Sequence, residues 1–182
     1  MRRWMLAVVG PVVLAPLAVV QAQRPISVGV GGGVSLAQGD LRDAVNAAGW
    51  HALGTVAVST LMQPLGLRLD VAYNQFAFGD QLRTALGDGH QSTGSATLNA
   101  TYRLPMTNSP ASPYLISGLG AYQSRCSLGP GCDATTRFGW NVGLGAKLSA
   151  LGVRSFIEAR YHRTARGGQE VNFFPVTFGL ML

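Results

Sequence analysis

From Ile26 to Leu182 the side chains alternate between apolar and small or polar, in stretches of roughly ten residues divided by turn-rich segments. A strand sends successive side chains to opposite faces, so each stretch builds one apolar face and one polar face. Eight such stretches in a row, with two-faced strands throughout, are the pattern of a transmembrane β-barrel. In that architecture the apolar faces meet lipid and the polar faces line a lumen.

The first 22 residues read differently. Arg2 and Arg3 precede an almost wholly apolar run from Met5 to Val20, and Val20-Gln21-Ala22 supplies short residues before a cut after Ala22. This is the form of a secretory signal. An uncleaved anchor is the rival, but Pro11 and Pro16 interrupt the run, which is short for a bilayer span. No Cys follows the cut to carry a lipoprotein anchor. The expected organisation is a signal peptide over 1–22 and one β-barrel domain over 23–182.

Composition agrees with strands in lipid. Hydrophobic residues make up 47% of the chain and charged ones 12%, with a mean hydropathy of +0.22. No later segment approaches the 18 unbroken apolar residues of a membrane helix. The net charge of +6 falls to +4 once Arg2 and Arg3 leave with the signal. The basic residues are dispersed rather than clustered with aromatics, so nucleic acid is not an expected partner. Outer-membrane lipids and lipopolysaccharide are, together with the barrel-assembly machinery during insertion. A monomer without cofactor is expected, and no extracellular ligand can be named from the sequence.

The pattern predicts strands over 26–38, 49–59, 65–78, 92–104, 114–124, 137–149, 153–163 and 172–182. Thr60–Pro64 and Ala150–Gly152 are short turns, and Met106–Pro113 is of moderate length. Gly39–Ala48, Gly79–Gln91, Arg125–Thr136 and Thr164–Val171 are longer and more polar. Short turns alternating with long loops place both termini on the periplasmic side and the long loops outside the cell.

Parity assigns the faces. Leu67, Leu69, Val71 and Tyr73 separate from Arg68, Asp70, Ala72 and Asn74; Phe138, Trp140, Val142 and Leu144 separate from Gly139, Asn141, Gly143 and Gly145. Charges and glycines share the second face, as a narrow lumen requires. Aromatics near strand ends (Trp50, Tyr73, Tyr102, Tyr114, Tyr122, Phe138, Trp140, Tyr161 and Phe174) are expected on the lipid face as interfacial girdles. A soluble lipocalin-like barrel, with the apolar face inside, is the structural rival.

Strand pattern and C-terminal segment together resemble the small eight-stranded outer-membrane barrels of the OmpA/OmpX type. The final strand, Asn172-Phe-Phe-Pro-Val-Thr-Phe-Gly-Leu-Met-Leu182, resembles the assembly signal of that family at Thr177, Gly179, Leu180 and Leu182, with Leu182 in place of the terminal aromatic. The resemblance implies an all-β, eight-stranded, antiparallel up-and-down transmembrane barrel. Its members include structural, adhesive and lipid-modifying proteins.

The residues able to carry chemistry are few. Arg68, Asp70, Arg103, Lys147, Arg154, Glu158 and Arg160 have lumen parity. In a barrel just wide enough to be filled by side chains, they are expected to form an ion-paired plug. A conducting path, with a slight anion preference from the basic excess, is the alternative. Phe156 is expected to pack between Gly145 and Gly179. Cys126 and Cys132 flank Gly129-Pro130-Gly131 in a long loop and read as a disulfide in an exported chain. His90 is expected in solvent, while His51 and His162 have inward parity near the outer rim. A lipid-modifying enzyme would join His162 to a hydroxyl and a carboxylate, and no spacing here supports it. The run Gly29, Gly31, Gly32, Gly33 lacks the helix and Lys-Ser/Thr of a phosphate loop. No metal or catalytic constellation is expected. A structural, surface-display or adhesive barrel is the reading that remains.

Overall fold

The computed structural model describes residues 26–59, 64–105, 111–127, 133–150, 153–164 and 170–182. The proposed signal and Cys132 lie outside them. Ten elements follow in order: β1 (Ile26–Gln38), α1 (Asp40–Ala44), β2 (Ala48–Ser59), β3 (Leu65–Ala77), α2 (Asp80–Leu86), β4 (His90–Arg103), β5 (Ala111–Cys126), β6 (Thr135–Ala150), β7 (Val153–Thr164) and β8 (Asn172–Met181). Every strand pairs antiparallel with its chain neighbours, and β8 returns to β1 to close the barrel. All eight strands lie where the alternation placed them. Pairing lengthens some: β4 and β5 run on together to Arg103↔Tyr114 at one end and Gln91↔Cys126 at the other. Pro175 sits within β8, where its missing N–H falls on the β7 side. The β7 ladder steps from Ala159↔Val176 to His162↔Phe173, while Ser35↔Pro175 is kept on the β1 side.

The apolar faces point outward. Leu98, Leu119 and Leu144 are 60%, 68% and 63% exposed, whereas Asp70 and Glu158 are 2% and 1%. No soluble barrel would arrange its side chains this way, so the inside-out rival is excluded. Trp50 rests on Tyr73 and Trp140 on Tyr161 on this outer wall, with ring centroids 5.6 and 5.8 Å apart.

Two expectations about faces need correction. Tyr114 and Tyr122 are buried in the lumen, not on the lipid face. Along β5 they share parity with Gly118 and Gly120, and the apolar Leu115 and Leu119 take the opposite face. Phe156 does pack on Gly179, its β8 partner, but not on Gly145. The β6–β7 register sets Phe156 opposite Lys147, and Gly145 lies beneath the Tyr114 ring instead.

The long loops hold two helices that no periodicity announced. α1 turns Leu41 and Val45 into the barrel mouth, where they pack with Ala37, Phe76, Tyr122, Val171 and Phe173. Five residues are too few for an autonomous helix, so this tertiary burial sustains it. α2 buries nothing and ends at Gly87, whose φ of 92° suits glycine alone.

The lumen's space is shared out between large side chains and glycines. A Cβ at Gly179 would land on the Phe156 ring, whereas one at Gly94, on the outer face between the inward Thr93 and Ser95, would meet nothing within 4 Å. Gly179→Leu is therefore expected to abolish or strongly destabilise the folded barrel, and Gly94→Ala to leave it intact. The check is the fraction migrating as compact species on unboiled gels across a urea series; overpacking of about 1–3 kcal/mol would shift the midpoint visibly.

Candidate functional site: the lumen charge ring and its two mouths

β3 and β7 face each other across the barrel, four strands apart in either direction. β3 supplies Arg68 and Asp70; β7 supplies Glu158 and Arg160. Each residue stands two positions from its partner, so both pairs point inward at the same level. Four ion pairs link them. Arg68 Nη2 meets Asp70 Oδ2 at 2.9 Å and Glu158 Oε1 at 2.7 Å. Arg160 Nη1 meets Asp70 Oδ2 at 2.8 Å, and its Nε meets Glu158 Oε1 at 2.6 Å. The result is an alternating ring of two cations and two anions that bridges the full width of the lumen with no net charge.

Neutral donors add to it, while Asp70 Oδ1 is buried with no hydrogen-bond partner among the described residues. Tyr114 donates its hydroxyl to Glu158 Oε2 at 2.6 Å. Asn99 Nδ2 donates to Asp70 Oδ2 at 3.0 Å, and Asn141 Nδ2 donates to Asn99 Oδ1 at 2.8 Å. Glycines on adjacent strands clear the space: a Cβ at Gly143 would strike Arg160, and one at Gly118 would strike Asn99. Buried charges are tolerable only when paired and hydrogen-bonded in this manner.

Above the ring, toward α1, lie two buried histidines. Ser35 donates to Asn74 Oδ1 at 2.7 Å, so it accepts from His51 Nδ1 at 3.1 Å; His51 Nε2 then accepts from the Thr177 hydroxyl at 2.9 Å. His162 bonds Tyr122 through Nδ1 at 3.0 Å and stacks on Phe173 at 4.8 Å. At this level Leu41 and Val45 of the α1 segment cluster with Phe76, Tyr122 and Phe173. A cavity of about 130 Å³ lies beyond, among the long-loop ends, lined in part by Ser124, Arg125, Asp133 and Arg137.

Below the ring, toward the short turns, the remaining three lumen-parity cations stand apart. Arg103, Lys147 and Arg154 are exposed at the mouth and take part in none of the ion pairs among the described residues. Lys147 lies over the Tyr114 ring, Nζ 5.9 Å from its centroid. Parity placed all seven charges on the lumen side, but only the four at mid-depth meet.

The family model for the outer membrane protein β-barrel domain matches residues 6–181. The chain belongs to this family. It is an integral β-barrel of the bacterial outer membrane, of the OmpA/OmpX-like class. Solved barrels of similar architecture include Neisserial surface protein A (18% identity, 87% of this chain and 96% of that one, TM-score 0.61). Ail, the attachment invasion locus protein of Yersinia pestis, solved with the heparin analogue sucrose octasulfate, aligns at 16% identity over 86% and 97%, TM-score 0.54. A major outer membrane protein of Thermus thermophilus aligns at 11% identity over 86% and 98%, TM-score 0.56. No curated protein matches the chain. At such identities the likeness is one of fold.

In this outer-membrane barrel both inward histidines meet hydroxyl groups that sequence spacing did not foresee: Ser35 and Thr177 at His51, and Tyr122 at His162. Ser35 is fully buried and donates its hydroxyl hydrogen to Asn74 Oδ1.

Arg160→Met removes one cation and leaves Asp70 and Glu158 sharing Arg68. A broken buried pair costs about 3–5 kcal/mol. The urea midpoint in detergent should fall accordingly, and Asp70→Asn combined with Arg160→Met should cost less than the two single changes added together.

Proposed function

We propose that this protein is a monomeric, non-enzymatic surface-display barrel of structural or adhesive role, with a closed lumen. One observation supports the reading: the apolar α1 cluster at one mouth and the charge ring at mid-depth stand in series. An ion crossing the lumen would have to displace apolar Leu41 and Val45 and then pull apart four ion pairs. What remains to interact with surroundings is the wall and the long loops.

In this reading the signal is cut after Ala22, the assembly machinery inserts the barrel, and the termini and short turns face the periplasm. The alternation of loop lengths supports that orientation. The ends carrying α1 and α2 then meet the exterior. Relatives described as a surface protein and as an attachment invasion locus protein support a role at the cell surface.

Purified protein in planar bilayers should give no unitary conductance in 1 M-scale salt. Steady, salt-dependent steps would overturn the closed-lumen reading in favour of a small channel.

The display surface is stiffened, in this reading, by a Cys126–Cys132 disulfide at the end of β5. Alkylation of the denatured, unreduced protein should add no label, and reduction should expose two thiols by mass. Labelling of both cysteines before reduction would remove the crosslink from the proposal.

A further inference from the structure

The charge of this chain is sorted along the barrel axis. All eight acidic side chains lie among the described residues. Asp70 and Glu158 are in the ring, balanced by Arg68 and Arg160. The other six, Asp40, Asp43, Asp80, Asp88, Asp133 and Glu170, all belong to the long-loop end. Among the described residues five arginines, Arg42, Arg83, Arg125, Arg137 and Arg163, stand at the same end. Neither level therefore carries a positive excess among the described residues. The short-turn end holds Arg103, Lys147 and Arg154 with no Asp or Glu side chain, so the barrel's excess positive charge is concentrated at one mouth.

That mouth is also a built concavity. Arg103, Tyr114 and Lys147 come from the adjacent strands β4, β5 and β6, and Arg154 from β7 beside them. A cavity of about 40 Å³ is lined on one side by Arg103, Lys147, Tyr114 and the hydroxyl-bearing Thr101 and Ser112, and on the other by apolar residues at the ends of β2 and β3. It continues inward to a smaller space bounded by Arg68 and Phe156. Tyr114 is held by its bond to Glu158, so the floor is rigid. The lining offers guanidinium, ammonium and hydroxyl donors and no side-chain carboxylate. Low-dielectric walls concentrate the field of such a group of like charges. An oxyanion with several acceptor oxygens relieves their repulsion and uses their forked donors.

We propose that the short-turn mouth is a phosphate-binding cup formed by Arg103 and Lys147, with Thr101 and Ser112 as neutral donors and Arg154 adding positive charge from the neighbouring strand. The ligand is a phosphate group, either free or carried by the headgroup of an anionic phospholipid in the adjoining leaflet. Because the charge ring closes the lumen behind it, the cup ends blindly and is not the entrance to a pore. That last point rests on the closed-lumen reading, whereas phosphate binding does not, so the conductance measurement and the one below fail separately.

The test is a titration of the purified, folded barrel in uncharged detergent with sodium phosphate, against sodium chloride at matched ionic strength. Backbone amide resonances of Gly66, Thr101 and Ser112 are followed. Saturable shifts with phosphate, absent with chloride, are expected. Replacing Arg103, Lys147 and Arg154 together by Gln should reduce the apparent affinity at least tenfold, while Arg42→Gln at the opposite end should leave it unchanged. Shifts that do not saturate, or that chloride reproduces, would overturn the proposal on the unmodified protein alone, whatever the variant's folding. With saturable binding in hand, glycerophosphoglycerol separates the sources: competition points to a lipid headgroup, and none points to free phosphate.

Discussion

Closure of the backbone ladder is the constraint on which everything else depends. A hydrocarbon solvent offers no partner to a free N–H or C=O, so strands can cross it only as a sheet without edges. Here the seam is the β1–β8 pairing from Gly29↔Met181 to Gln38↔Asn172. Once eight strands close, the lumen diameter is set, and the interior becomes a packing problem with polar contents. The hydrophobic side chains then serve the lipid contact and contribute little to the inside, except at the α1 plug.

Two devices solve the packing problem. Glycine stands beside several large inward side chains: Gly145 under Tyr114, Gly139 beside Tyr122, Gly143 beside Arg160, Gly118 beside Asn99 and Gly179 under Phe156. The four mid-depth charges are arranged so that each carboxylate meets both arginines. Packing and charge pairing reinforce each other, because the glycines let the guanidinium groups reach across. A ring that spans opposite strands also braces the wall against flattening, while the mouths remain free to differ. One holds the apolar Leu41 and Val45, and the other, among the described residues, is basic.

Tyr114 and Tyr122 share parity with Gly118 and Gly120, and that parity places them inside, although their positions near strand ends also suit an aromatic girdle. Phe76 and Phe173 likewise share parity with Asn74 and Thr177. The pairing of Phe156 was another matter. The β6–β7 ladder sets Ala150 opposite Val153, which puts Lys147 rather than Gly145 across from it. A two-residue difference in register moves every partner along the strand. α1 was not legible at all, since a five-residue helix has no period to read and exists only against the barrel mouth.

Sequence alone determined the class, the strand number, the faces of most strands and the inward set of charges. Those properties follow from local alternation and from the cost of an unsatisfied backbone in lipid, and both are written residue by residue. Only the tertiary structure decided which charges meet. Arg68 and Glu158 are ninety positions apart and touch because closure brings β3 opposite β7. The same closure leaves Arg103, Lys147 and Arg154 together at a mouth without acids. Register and barrel circumference are collective properties of eight ladders, so no single segment of the chain encodes them.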